Sequence, residues 1–112
     1  MPHRDWLLRI EDILEAIGRI ESYTHGLTFE DFCDDSKTVD AVVRNLEVIG
    51  EAARNLHSDV TARLPDVPWP DVRDMRNVLV HEYFGVDLAI VWATVKQDLP
   101  ALAAALRTLL DT

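Results

Sequence analysis

Four side chains that could act on a phosphodiester bond lie within eight residues of the sequence: Arg76, Asn77, His81 and Tyr83. An arginine can neutralise a phosphate through paired N–H donors, and a histidine can accept or donate a proton near neutral pH. Asparagine and tyrosine can orient these groups or bind a phosphate oxygen. This set would suffice for RNA cleavage without a metal, with His81 as base or acid and Arg76 stabilising the phosphorane.

One ideal helix does not direct all four groups at the same phosphate. At about 100° per residue, Arg76 and Tyr83 lie roughly 20° apart, whereas His81 lies roughly 140° from Arg76. Asn77 and His81 align as an i, i+4 pair. Two arrangements remain open: the helix loosens near Gly85, or two copies of it meet across a two-fold axis. The second arrangement would supply two histidines, one as base and one as acid.

A structural role for these residues is the competing interpretation. A histidine near a helix end is more often a cap or a core residue than a catalyst. An arginine close to a carboxylate such as Asp74 usually forms a solvated ion pair. Spacing alone therefore favours a structural role, and a wider pattern in the chain is needed to favour catalysis.

Apolar periodicity predicts the helices that must position this segment. Apolar residues at spacings of three and four predict one helix over about residues 4–24 and another over about residues 36–56. The pair Thr28 and Asp31 resembles a capping box, and Ser58 resembles a cap, so each predicts a short helical turn. Three prolines in residues 65–70 predict a stiff, extended connector.

The second half of the chain predicts two more long helices. One covers about residues 70–84, with Pro70 as its first residue and Gly85 as its stop. The last begins at a cap on Asp87, and Pro100 should kink it near Lys96 or Gln97. No strand-like alternation of useful length occurs. The predicted fold is all-α: one domain over residues 1–112, built as an antiparallel bundle of four or five helices that forms a homodimer.

Composition limits the possible partners and surroundings. The net charge of −9 disfavours broad electrostatic binding of nucleic acid, so any phosphate site must be a local basic pocket. The lone cysteine, Cys33, excludes an intrachain disulfide and indicates a reducing cytoplasm. No signal peptide is recognisable, and no apolar run reaches the roughly 20 residues of a membrane span.

No cofactor is expected. The three histidines outside the motif, His3, His25 and His57, have no metal-ligand spacing with one another or with Cys33. The chain also has no glycine-rich phosphate loop, so we expect it to hold neither a metal nor ATP of its own.

Other residues are weaker candidates for the functional site. Arg44 and Glu51 could line a pocket opposite His81, although a solvated ion-pair surface is the simpler account. Arg73 is a further possible pocket residue that could contact RNA, although placement on the surface is the default. The three tryptophans could stack on bases, but each lies at an apolar periodic position or beside prolines, so we expect core packing. They are Trp6, Trp69 and Trp92.

The ordered motif resembles that of a known family. Arg76-x4-His81-x-Tyr83 is similar to the Arg-x4–6-His motif of the HEPN superfamily, and more closely to the Arg-x4-His-x-Tyr form of HepT-like toxins. The resemblance covers most of residues 10–109. Further similar segments are Gly50-Glu51-Ala52, Trp69-Pro70, Met75-Arg76-Asn77, His81-Glu82-Tyr83-Phe84, Val91-Trp92 and Leu99-Pro100.

This resemblance implies an all-α homodimer that acts as a metal-independent ribonuclease toxin. Arg76 and His81 would be catalytic, and Asn77 would support them. It also implies a nucleotidyltransferase antitoxin resembling MntA, which would transfer AMP from ATP to Tyr83 and so block the RNA site. One position departs from the family pattern, because Asp74 replaces a common glycine, and its carboxylate is expected to weaken phosphate binding near Arg76.

A second hypothesis belongs to a different functional class. The chain would be a non-catalytic helical dimer that binds a protein or a nucleotide as the partner of a nucleotidyltransferase. The acidic composition and Asp74 favour this alternative.

Overall fold

The computed structural model describes the backbone of residues 2–81 and 87–111 and the side chains of residues 5–75 and 87–111. Within these ranges the chain is helical between turns and contains no strand, which confirms the predicted all-α class. The helices are α1 (Pro2–Thr24), α2 (Phe29–Asp34), α3 (Ser36–Arg54), α4 (Ser58–Thr61), α5 (Trp69–His81), α6 (Leu88–Ala93) and α7 (Leu99–Leu110), with a π-helical turn (Thr94–Asp98) joining α6 to α7.

Helix α3 is the centre of the bundle. It packs most extensively against α1 and α5, while α7 packs against α1 and α2 packs against both α3 and α6. The apolar residues that predicted the helices form the core, and burial of each large one contributes about 1.5–3 kcal/mol. Fully buried examples are Ile10, Ile13, Ile17 and Ile20 of α1, Leu46 and Ile49 of α3, and Leu99 and Leu106 of α7.

Side-chain caps begin several helices. The Thr28 hydroxyl accepts from the Asp31 N–H at 3.0 Å, and the Asp31 carboxylate accepts from the Thr28 N–H at 3.0 Å, so the predicted capping box is confirmed. The predicted cap Asp87 is also confirmed, since it accepts from the Ala89 N–H at 3.0 Å. Asp35 caps α3, and its hydrogen bonds from the Thr38 hydroxyl and N–H lower the pKa of this carboxyl.

The predicted cap at Ser58 is wrong. Ser58 is the first residue of α4, and His57 is the cap: its backbone is extended and its Nδ1 accepts from the Asp59 N–H at 3.1 Å. A neutral imidazole nitrogen can fill the acceptor role that a serine hydroxyl usually fills at this position.

The helix that Pro100 was predicted to kink contains the π-helical turn. The Leu99 N–H donates to the carbonyl of Thr94, five residues earlier. Pro100 has no N–H to donate to the carbonyl of Lys96, and its ring would crowd that carbonyl in a regular α-helix. The wider turn accommodates both effects. Among the residues that the structure describes, no helix is long and apolar enough to cross a membrane.

Candidate functional site

Helix α5 carries three of the motif residues, Arg76, Asn77 and His81. It is continuous from Trp69 to His81, so the backbone positions of Arg76, Asn77 and His81 lie on one regular helix packed against α3. The side chains of these three residues, and the whole of Tyr83, lie outside the described residues. The roles assigned to them from the sequence therefore stay predictions.

The first turns of α5 are fixed by contacts with α3 and α4. Trp69 is buried, and its indole N–H is within 3.1 Å of two carbonyl acceptors, those of Thr61 and Leu64. The Arg54 Nε donates to the carbonyl of Arg73 at 3.2 Å. These contacts hold the base of the helix that presents the motif one and two turns later.

A cleft lies immediately before the motif, and we call it the motif-side cleft. It has a volume of about 360 Å³ and opens between α5 and the segment that runs from α6 through the π-helical turn. Its lining includes the carboxylates of Asp71, Asp74 and Asp98 but no lysine or arginine among the described residues. The described wall of this cleft therefore repels a polyanion, and any positive charge for RNA must come from elsewhere.

The structure brings two of the predicted pocket residues together. Arg44 and Glu51 line a groove of about 360 Å³ between α1 and α3, together with Arg9 and Asp12, whereas Arg73 is not among the lining residues. Arg44 lies 3.9 Å from the carboxylate of Glu47, but its side chain is 75% exposed, so this ion pair contributes little. The described lining of the groove has mixed charge, without the cationic excess that a phosphate site needs.

Sequence reasoning missed Arg9. It is separated from Arg44 by most of α1, all of α2 and part of α3, and no local spacing connects the two residues. Only the packing of α1 on α3 brings them to the same groove. The sequence could have indicated this groove only if the exposed faces predicted for α1 and α3 had been compared with each other.

The tryptophans pack against other side chains. Trp69 is part of the core. The ring centroid of Trp92 lies 5.1 Å from that of Phe32 and 4.6 Å from the ammonium group of Lys96. Trp6 packs against the core and lies 5.6 Å from the guanidinium of Arg63. These contacts confirm the packing roles predicted from the sequence.

Comparison with known proteins gives the family. The sequence model described as "Ribonuclease HepT-like" matches residues 13–109, a range that includes the whole motif. The chain belongs to the HepT-like ribonuclease family. The resemblance found in the motif and its flanking segments is thereby confirmed.

Two relatives align with this chain along more than four fifths of their length. The chain is 49% identical over 100 residues to the "Probable ribonuclease HepT" of Thermococcus cleftensis, covering 89% of this chain and 88% of the relative. It is 42% identical over 100 residues to a "Putative RNase" of Methanocaldococcus jannaschii, with coverages of 89% and 83%. No solved structure gives a significant match.

Two features of the described residues bear on how a HepT-like ribonuclease could act. Among the described residues, no three His, Cys, Asp or Glu side chains are grouped so that they could hold a metal ion. Asp71 and Asp74, which line the acidic motif-side cleft, lie on α5 shortly before Arg76.

Proposed function

We propose that this chain is a metal-independent endoribonuclease, with Arg76 and His81 as catalytic residues and Asn77 and Tyr83 in supporting roles. The observation that carries the proposal is the sequence Arg76-x4-His81-x-Tyr83, set within a chain that matches the HepT-like family over residues 13–109. Relatives named "Probable ribonuclease HepT" and "Putative RNase" support the same activity.

The chemistry follows from the residue types. A base removes the proton of an RNA 2′-hydroxyl, the 2′-oxygen attacks the adjacent phosphorus, and the bond from phosphorus to the 5′-oxygen breaks. An acid returns a proton to the leaving 5′-oxygen, and a 2′,3′-cyclic phosphate remains. His81 serves as base or acid, and the guanidinium of Arg76 stabilises the charge that develops on the phosphorane.

The regularity of α5 supports a site shared between two subunits. Since the helix runs without interruption to His81, positions 76 and 81 lie roughly 140° apart around its axis. Loosening near Gly85 would come too late in the chain to bring these two positions onto one face. Two copies of α5 that meet across a two-fold axis would place Arg76 of one subunit near His81 of the other and supply both an acid and a base.

The direct test is RNA cleavage by the purified protein in the presence of excess EDTA. We expect EDTA to leave the rate unchanged and the 5′ fragments to end in a 2′,3′-cyclic phosphate, because the proposed acid, base and charge are all side chains. Product ends can be identified by mass spectrometry. Cleavage that EDTA abolishes and Mg²⁺ restores would contradict the proposed mechanism.

We also propose that the chain is the toxin of a toxin–antitoxin pair, neutralised at Tyr83 by an MntA-like nucleotidyltransferase. The phenolic oxygen of Tyr83 would attack the α-phosphorus of ATP, pyrophosphate would leave, and the phenolic proton would pass to a base. The added AMP carries a negative charge only two residues from His81. This anion would compete with RNA phosphate for Arg76 and His81.

Intact-mass measurement after co-expression with the nucleotidyltransferase tests the modification. We expect the mass to increase by one or more AMP units, and the increase to disappear in Tyr83→Phe, which lacks the accepting hydroxyl. Tyr23→Phe is the matched control, because Tyr23 is the other tyrosine of the chain and is exposed. An unchanged wild-type mass, or a modification that persists in Tyr83→Phe, would rule out this acceptor.

The alternative function is a non-catalytic dimer that binds a protein or nucleotide as the partner of a nucleotidyltransferase. The acidic lining of the motif-side cleft favours it, because Asp71, Asp74 and Asp98 oppose the approach of RNA. This alternative fails if the purified protein cleaves RNA.

A further inference from the structure

A second cleft, between α5 and α7, has an apolar floor. This α5–α7 cleft has a volume of about 400 Å³. Its floor is formed by Val72 and Leu102, which are buried, and by Val67 and Met75, which are partly buried. Ala101 and Ala105 of α7 also line it, and their short side chains leave space above the floor. Burial of an apolar side chain in this space would be favourable.

Three aspartates surround this floor. Asp66, Asp71 and Asp98 line the α5–α7 cleft and are exposed, and no lysine or arginine is among its described lining residues. None of the three forms an ion pair with a described side chain. A ligand that suits the cleft would combine an apolar surface with positive charge, because three carboxylates with no described cation beside them favour cations and repel anions.

The dimensions suit one face of a helix. The lining runs from Asp98, the last residue of the π-helical turn, to Ala105 of α7, a rise of roughly 10 Å at 1.5 Å per residue. The same rise separates the first and last of three apolar residues at positions i, i+3 or i+4, and i+7, which is the usual anchor pattern of a helix bound in a groove. Lysines or arginines flanking those anchors would reach the aspartates.

We propose that the α5–α7 cleft docks a basic amphipathic helix of a partner protein. RNA is excluded as an occupant because its phosphates carry the same sign of charge as the three carboxylates. A second copy docked cleft to cleft is disfavoured for a similar reason, because it would bring two sets of three aspartates together. The proposal does not depend on the ribonuclease function, because it is argued only from described lining residues, and none of these belongs to the motif.

Peptide binding to the full-length protein tests the proposal. The probe is a 14-residue helical peptide with a leucine stripe at i, i+3, i+7 and lysines on its other faces. We expect saturable binding at one peptide per chain, measured by fluorescence anisotropy. A peptide with the same composition in scrambled order keeps the charge but loses the stripe, so it should bind at least tenfold more weakly.

Two pairs of variants locate the binding site. Replacing Asp66, Asp71 and Asp98 with Asn should weaken binding about tenfold, whereas the same replacement of Asp34, Asp40 and Asp111 removes equal charge elsewhere and should have little effect. Ala101→Arg should abolish binding by filling the cleft with a cation. Ala104→Arg is the matched control, because Ala104 is exposed on α7 but does not line the cleft.

Several outcomes would overturn the proposal. They are absence of binding to the wild-type chain, equal binding of the scrambled peptide, or equal effects of the two triple replacements. Self-association that Ala101→Arg abolishes, observed by sedimentation, would assign the cleft to a second copy instead. Circular dichroism of each variant separates loss of binding from loss of fold.

Discussion

Replacement of His81 with alanine should reduce the rate of RNA cleavage by roughly 10²- to 10⁴-fold, the usual contribution of a general acid or base. Arg76→Ala should cost roughly 10²- to 10³-fold, because it removes a preorganised charge from the phosphorane. Both positions lie on α5, and alanine has the highest helix propensity, so we expect the variants to fold. Initial rates on a fluorogenic RNA oligonucleotide measure cleavage, and thermal melting measures folding separately.

Matched controls distinguish catalysis from general effects of charge and purification. His25→Ala and Arg107→Ala remove the same side-chain types from exposed positions outside the proposed site and should leave the rate unchanged. Wild-type cleavage rates in a well-folded His81→Ala preparation would remove the proposed mechanism, because no other residue is assigned its proton transfer. A loss of activity in all four variants would point to the assay or the preparation.

Trp69→Ala should lower the free energy of unfolding by about 3–5 kcal/mol, the usual cost of emptying a buried tryptophan site. That is a large part of the 5–15 kcal/mol that stabilises a typical domain. The indole joins the base of α5 to the carbonyls of Thr61 and Leu64. Trp69→Phe keeps most of the volume but leaves the two acceptors without their donor, so we expect a loss of about 1–3 kcal/mol. Urea unfolding followed by circular dichroism gives both values.

Trp92→Phe is the control for the tryptophan series. Trp92 is only partly buried and packs on Phe32 beneath Lys96, so its replacement should cost less than Trp69→Ala. If Trp69→Ala proves no more destabilising than Trp92→Phe, the start of α5 is not anchored in the way the hydrogen bonds indicate.

The helical fold could be predicted because its signals are local. Apolar spacings of three and four predicted α1, α3 and the last helix, and the Thr28 and Asp87 side chains predicted two helix starts. The cap at His57 was missed because serine is the commoner cap and stands next to it. The extended backbone of His57, which the sequence does not reveal, identifies it as the cap.

The clefts could not be predicted, because they are formed by residues far apart in the sequence. Asp71 and Asp98 lie on different helices, as do Arg9 and Arg44, and only helix packing brings each pair to one cleft. The motif was recognised for the opposite reason: its residues lie close together in the sequence. The angular separation of positions 76 and 81 was also predictable, because it depends only on a regular helix.

The π-helical turn between α6 and α7 lets a single run of helix serve two neighbours. The part before the turn contacts α2, and the part after it contacts α1. A π turn holds about one residue more than an α turn, and one residue corresponds to about 100° of rotation. In an unbroken α-helix, Leu99, Leu102 and Leu106 would be turned by that angle relative to α6. The one additional residue of the π turn therefore sets the angle between the apolar faces of α6 and α7. Pro100 maintains this angle, because it disfavours a regular α-helix at this point.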